Sequence, residues 1–236
     1  MRPEDTTELR HLPLFRDMLQ ASFDALMLST RTERVPGGRP LIRQGEPAEY
    51  LHVVLEGAVE LYAHWEDRET TMAVVGPVGS FILAACIRDA PYLMSARTLE
   101  PSRILRIPAP DLRAVFRRDP EFAVSVIQEL AGAYRAVVRH AKGLKLRTSR
   151  ERIASYLLRQ SRQAGDAASF VLPVEKRVLA SYLGMTPENF SRALRALEPE
   201  GVRLDGLRAT ITDRARLAAI ARPDWLIDGP DPEEAS

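Results

Sequence analysis

Gly184-Met185-Thr186-Pro187-Glu188-Asn189-Phe190-Ser191-Arg192-Ala193-Leu194-Arg195 decides the reading of this 236-residue chain. The stretch predicts a turn followed by a short helix with two different faces. Thr186 suits an N-cap, because its hydroxyl can accept a backbone N–H of the first turn. Pro187 suits the first helical position, where no N–H is needed. Phe190, Leu194 and Leu197 follow at spacings of four and three and form an apolar stripe. Glu188, Ser191, Arg192 and Arg195 share another face. Taken alone, such a helix could simply pair Glu188 with Arg192 on a solvated surface. Its flanks argue for more.

Upstream, residues 174–183 place Val178, Leu179, Tyr182 and Leu183 in helical periodicity, and Gly184 ends the pattern. Helix, glycine-containing turn and capped helix make a helix-turn-helix. Downstream, Val202-Arg203-Leu204 and Leu207-Arg208-Ala209-Thr210-Ile211 flank Asp205-Gly206, a hairpin signal that predicts a wing. In a major groove Arg192 can bond guanine O6 and N7 together, Glu188 can accept from cytosine N4, and Ser191 can bond either way. Thr186, Pro187, Glu188, Ser191, Arg192 and Arg195 are the candidate DNA-binding residues.

The charge is unevenly placed. Residues 147–222 hold 14 Lys and Arg against 8 Asp and Glu, a net +6, whereas the rest holds 19 against 24, a net −5. A basic C-terminal part, almost all Arg, suits bidentate phosphate and base contacts. The one cysteine, Cys86, excludes an intramolecular disulfide and a four-cysteine metal or iron–sulfur site. The N-terminus is charged and lacks an apolar signal core. The most apolar stretch, residues 74–87, is 14 residues long and interrupted by Gly76, Pro77 and Gly79, too short to span a bilayer. A soluble cytoplasmic protein with no membrane partner is expected. No phosphate loop, His-Glu-x-x-His, paired cysteines or nucleophile elbow argues for an enzyme.

Between Pro36 and Pro108 the chain reads as short strands punctuated by Gly and Pro. Leu51-His52-Val53-Val54-Leu55 and Ala58-Val59-Glu60-Leu61-Tyr62 are predicted to pair around Glu56-Gly57. Residues 70–75, 79–83, 94–99 and 104–107 continue the pattern, which predicts a sandwich or barrel enclosing an apolar interior. From Pro120 a long helix carries Phe122, Val126, Leu130, Ala133, Val137, His140 and Leu144 at alternating spacings of four and three, widened by Ile127, Tyr134, Val138 and Ala141. Val126, Leu130, Ala133, Val137, His140 and Leu144 are therefore the candidate dimer interface. Thr148-Ser149 is predicted to be a hinge before the next helix. The tail after Arg222 is acidic and rich in proline, with Trp225 and Leu226 expected to dock first and the end to be disordered.

This order of parts resembles the CRP/FNR superfamily of bacterial transcription regulators over about residues 9–222. Two motifs carry the resemblance. Residues 41–51, Leu-Ile-Arg-Gln-Gly-Glu-Pro-Ala-Glu-Tyr-Leu, with Glu56-Gly57-Ala58-Val59, resemble the start of the cyclic-nucleotide-type roll. Pro187-Glu188-Asn189-Phe190-Ser191-Arg192 resembles the FNR-branch recognition helix, which reads a TTGAT half-site. The resemblance implies an α+β architecture with four parts. These are an effector-sensing β roll (1–119), a dimerisation helix (120–146), a winged helix-turn-helix (147–222) and an acidic tail (223–236). It also implies a homodimer on palindromic double-stranded DNA, with RNA polymerase as a partner.

Members that bind cAMP carry a Gly-Glu pair and an Arg-Ser pair where this chain has Leu83-Ala84 and Met94-Ser95. A cyclic phosphate buried without a cation is costly, so cAMP is not expected. The candidate effector pocket is apolar and takes in Phe81, Leu83, Ala84, Ala85, Cys86, Met94 and Ser95, with Ile82, Ile87, Tyr92 and Leu93 beside them. Some relatives of this kind bind heme and sense nitric oxide or carbon monoxide. His11, His52, His64, Cys86, Met94 and His140 are the side chains able to ligate iron, with His11, Cys86 and His140 the candidate heme ligands. Other readings are an organic effector, no effector, or a regulatory module that does not bind DNA.

Overall fold

The computed structural model describes residues 3–229. Its contacts divide the chain into two compact units, Met1–Ala133 and Tyr134–Ser236. The end of the tail, predicted to be disordered, lies outside the described residues.

The first unit opens with α1 (Pro3–Arg10) and α2 (Gln20–Ser29). Eight strands follow: β1 (Arg31–Val35), β2 (Pro40–Ile42), β3 (Tyr50–Glu56), β4 (Val59–Trp65), β5 (Arg68–Val75), β6 (Ser80–Phe81), β7 (Ser95–Thr98) and β8 (Ser102–Pro108). A short helix, α3 (Leu83–Arg88), interrupts them, and α4 (Ala109–Arg118) and the start of α5 (Pro120–Leu146) complete the unit. The strands form two antiparallel sheets, in the orders β1-β8-β3-β6 and β2-β7-β4-β5.

The expected pairing of residues 51–55 with 58–62 is corrected by this topology. β3 pairs with β8 and β6, while β4 pairs with β5 and β7 in the other sheet. Gly57 is the reason. It sits at φ +85°, and a Cβ there would lie 2.3 Å from the Ser102 hydroxyl and 2.8 Å from the Pro101 carbonyl oxygen. Only glycine combines a left-handed backbone with so close an approach, and the chain crosses from one sheet to the other at this point. The strand expected over 79–83 is also corrected. Ile82 turns left-handed at φ 70°, and Leu83 opens α3. A β-branched residue in that region is a rare and costly conformation, which apolar patterning does not signal.

β3 is buried along five successive residues, because both of its faces are covered. Alternate side chains point to opposite faces. One face of the β3–β8 pair meets α2 and α4. The other carries Tyr50, His52, Ile104 and Arg106 toward β2 of the second sheet. Phe15 lies parallel to Phe122 at 6.4 Å and meets Phe23 edge-on at 6.3 Å, so the helical layer has its own aromatic centre. Buried Asp119 accepts hydrogen bonds from the backbone N–H groups of Phe122 (3.1 Å) and Leu19 (3.0 Å), which fixes where α5 starts.

The second unit holds the rest of α5, then α6 (Ser149–Gln163), β9 (Ser169–Val171), α7 (Lys176–Tyr182), α8 (Pro187–Arg195), β10 (Val202–Asp205), β11 (Arg208–Ile211), α9 (Arg214–Ala221) and α10 (Trp225–Asp228). β9, β10 and β11 form one antiparallel sheet in the order β10-β11-β9. The Thr148-Ser149 position is a capping box. The Thr148 N–H donates to Glu151 Oε2 at 2.7 Å, and the Glu151 N–H donates to Thr148 Oγ1 at 3.4 Å. The expected docking of Trp225 and Leu226 is shallow: both border Tyr134 and Val138 of α5, and the Leu226 carbonyl accepts from Lys142 at 3.4 Å, but both side chains stay largely exposed. Asp228 anchors α10 instead, through Arg147 at 2.7 and 2.5 Å.

Candidate DNA-reading helix and sensing roll

α8 forms as its sequence predicts. Thr186 has extended backbone, and its hydroxyl accepts the Asn189 N–H at 3.3 Å. Pro187 follows at the first helical position. Phe190, Ala193 and Leu197 are buried, and α8 packs on α6 and α7. Gly184 makes the turn at φ +66°, close to Leu144 in the last turns of α5. Burial of one side fixes the other side outward, so Glu188, Ser191, Arg192 and Arg195 are all exposed. Among the described residues, the side chains of Ser191, Arg192 and Arg195 form no hydrogen bond or ion pair. The Glu188 carboxyl is held below the usual range, first by its own backbone N–H, then by the Thr186 hydroxyl and the nearby Arg192 charge. It is therefore an acceptor at neutral pH, beside two guanidinium donors.

The wing is β10 and β11, joined by Gly206 and Leu207, with Asp205 opposite Arg208. Arg203 and Arg208 project from it, both exposed. The reading of the sequence did not single them out. Arginine on the predicted wing strands was the signal available.

In the first unit, α3 presses Leu83 and Cys86 into the core. Phe81, Tyr92 and Ser95 are also buried, Ala85 and Met94 are half-buried, and Ala84 is exposed. Burial pushes the Cys86 thiol up to about 12, against the smaller opposing effect of the Arg113 charge. A chamber of about 350 Å³ opens elsewhere in the roll. Exposed Glu33, Pro36 and Arg39 ring its mouth, and His52, Ile104 and Arg106 line its depth. None of its lining residues belongs to the set expected to form the effector pocket. His52 is 1% exposed, stacked on Phe81 at 5.1 Å.

Residues 32–119 match the cyclic nucleotide-binding domain family, and residues 151–220 match the Crp-like helix-turn-helix domain family. A regulatory protein from Silicibacter pomeroyi DSS-3, described as a candidate cAMP binder, is 30% identical. The match covers 94% of this chain and 100% of that one, with a TM-score of 0.61. The chain belongs to the CRP/FNR superfamily of transcription regulators. The cyclic AMP receptor protein of Thermus thermophilus is 28% identical over 89% of this chain and 96% of its own length. FixK2 from Bradyrhizobium japonicum has a TM-score of 0.72 at 25% identity, covering 83% of this chain and 98% of that one.

As a CRP/FNR protein the chain carries the superfamily's α+β plan: an N-terminal cyclic-nucleotide-type roll, the 27-residue α5 and a C-terminal winged helix-turn-helix. The seam expected along α5 is corrected in detail. Val126 is 0% exposed, sealed in the core of the first unit, and Leu130 packs against that core. His140 is covered by Tyr182 of its own chain. Ala133, Val137 and Leu144 remain exposed. The exposed apolar residues of α5 also include Ile127 and Tyr134, at 60% and 70%. One helix serves a core in each unit, so a single periodic stripe could not report which face stays free.

The candidate heme ligands have different surroundings. His11 is exposed, Cys86 is sealed in the core with a thiol that stays protonated, and His140 lies under Tyr182 in the second unit. His52 is buried against Phe81, exposed His64 lies 3.4 Å from the Ser95 hydroxyl, and Met94 packs on the roll core. Among the described residues no group of three or more His, Cys, Asp or Glu could hold a metal ion. No described helix is long and apolar enough to cross a membrane.

Proposed function

We propose that this regulator works as a homodimer that reads a palindromic TTGAT-like duplex and is controlled by a small effector in its roll. The observation that carries the reading is α8, a capped helix buried along Phe190 and Ala193 that leaves Glu188, Ser191 and Arg192 exposed. Ser191 and Arg192 are free to bond base edges, and Arg192 suits guanine. Thr186 and Pro187 set the entry of the helix, and Arg195 at its far end, with Arg203 and Arg208 of the wing, suits phosphates. The exposed apolar residues of α5, Ile127, Tyr134, Val137 and Val138, suit contact with a second copy. Two copies match a two-fold site.

The division of labour in this reading is sensing in 1–119, dimerisation in 120–146 and DNA reading in 147–222. RNA polymerase is the partner such a regulator meets at a promoter. cAMP is not the effector, because Leu83-Ala84 and Met94-Ser95 offer neither a carboxylate for a ribose nor a cation for a phosphate.

Fluorescence anisotropy with a palindromic TTGAT duplex tests the reading. Tight binding with a steep salt dependence, lost on a scrambled duplex, supports it. Equal binding to both duplexes refutes the base-reading assignment. The same titration with cAMP present is expected to give the same affinity.

A further inference from the structure

We propose that the chamber between β1, β8 and β2 is a binding site for a small organic monoanion, a carboxylate with an apolar body, held by Arg39, Arg106 and His52. The site goes beyond the reading above, since it lies outside the expected effector residues and binding there need not alter DNA affinity.

His52 is nine-tenths and more buried, and its Nδ1 has no hydrogen-bond partner. The ring cannot turn freely to find one. Phe81 lies against it at 5.1 Å with the planes 15° apart, and Tyr50 meets it edge-on at 6.5 Å. A buried polar nitrogen without a partner costs about 1–3 kcal/mol, and a ligand oxygen would relieve that cost.

Arg106 repeats the pattern one strand away, directly opposite His52 in the sheet. Its Nε is buried without a partner. Its guanidinium lies over the Tyr50 ring at 4.3 Å and 3.5 Å from a Glu33 carboxylate oxygen. Arg39, at the mouth, forms no side-chain hydrogen bond or ion pair with a described residue. An unpartnered ring nitrogen, an unpartnered N–H donor and a free guanidinium therefore share one chamber whose walls include Val35, Leu41 and Ile104.

The charge balance selects the ligand class. Arg39 and Arg106 against Glu33 leave one positive charge, which a monoanion neutralises. A dianion would place surplus negative charge beside Glu33. Carboxylates accept from guanidinium and imidazole N–H together, and such charge-assisted bonds are the strong ones. Neutral imidazole can supply the Nδ1 proton. The volume of about 350 Å³ suits a small organic molecule.

The test titrates full-length, 15N-labelled protein with sodium benzoate and follows the histidine ring nitrogens by NMR. Benzyl alcohol and inorganic phosphate serve as comparisons. The expected result is a saturable shift confined to His52, with benzoate binding tighter than either comparison. R39Q, at an exposed position, should keep the melting temperature and weaken benzoate about tenfold. H52F, which keeps an aromatic ring against Phe81, should abolish saturable binding by calorimetry. No saturable shift, equal affinity for benzyl alcohol, tighter binding of phosphate, or an R39Q affinity equal to wild type would overturn the proposal. Anisotropy with the TTGAT duplex, with and without benzoate, is read separately, so failure of the DNA reading leaves this result intact.

Discussion

The imidazole of His140 lies on the ring of Tyr182, with centroids 4.5 Å apart and planes 25° apart. The contact ties the second half of α5 to the helix that precedes α8. Tyr156 meets Tyr182 edge-on at 6.3 Å, so three rings from three helices form one cluster. A double-mutant cycle of H140A and Y182A in urea unfolding at pH 7.5 should give a coupling of about 0.5–1.5 kcal/mol. Burial first, then the charges of Arg159 and Arg152, hold His140 below the usual imidazole range. Below pH 6.5 the unfolded chain then binds more protons than the folded one, so this part of the stability falls as pH drops through that value. H140A should show the shallower acid loss, and an unchanged slope would refute the assignment.

Arg192→Ala should remove discrimination at the guanine position of the TTGAT half-site by about 1–3 kcal/mol, as read by competition binding. Thermal unfolding should stay within about 0.5 kcal/mol of wild type, because the side chain is exposed and bonds to nothing in its own unit. Full sequence preference in the variant would move base reading to another residue. Arg203→Ala on the wing should instead weaken all duplexes alike and lower the salt slope by about one.

Gly57→Ala should be among the most damaging changes in the first unit. The added carbon meets Ser102 at 2.3 Å on a left-handed backbone. A loss of more than about 2 kcal/mol is expected in chemical unfolding. Gly38→Ala provides the contrast. It shares a positive φ of 75°, but nothing lies within 4 Å of the added carbon, and its cost should stay near 1 kcal/mol.

His52 predicts a second acid-dependent loss. Burial first, then the Arg106 charge, push its imidazole down to about 3, with a smaller opposing contribution from the Tyr50 backbone. The folded state therefore holds the neutral ring, and stability present at pH 7 is lost as pH falls from 6.5 toward 3. The slope approaches 1.4 kcal/mol per pH unit as an upper bound. H52F should remove that contribution while other acid effects persist. Parallel curves for the two proteins between pH 6.5 and 4 would contradict it.

The DNA-reading half of the molecule was largely legible in its sequence, because its signals are local. Thr186, Pro187 and Gly184 each specify their own backbone, and the spacing from Phe190 to Leu194 is set within one helix. The roll was legible as strands but not as sheets. β3 and the first three residues of β4 are buried on both sides, and the choice of partner rests on how closely Ser102 approaches Gly57, a contact 45 residues away in the chain. His52 sits in an unbroken apolar run, so no alternation marked the side on which its ring nitrogen stays unpaired. The face of α5 failed for a related reason: a regular repeat reports that a helix has an apolar side, not which core claims it.

The crossing at Gly57 also orders events in time. β1 finds its place only against β8, β2 only against β7, and β3 against β6 and β8. A ribosome must therefore release residues up to Pro108 before the earliest strands can close their hydrogen bonds, and loop closure over such separations is slow. In the second unit α7 and α8 and the Gly206 hairpin meet near neighbours in the chain. Nascent strands in the first unit spend longest unpaired, and that is where a chaperone or a misfolding partner has its opening.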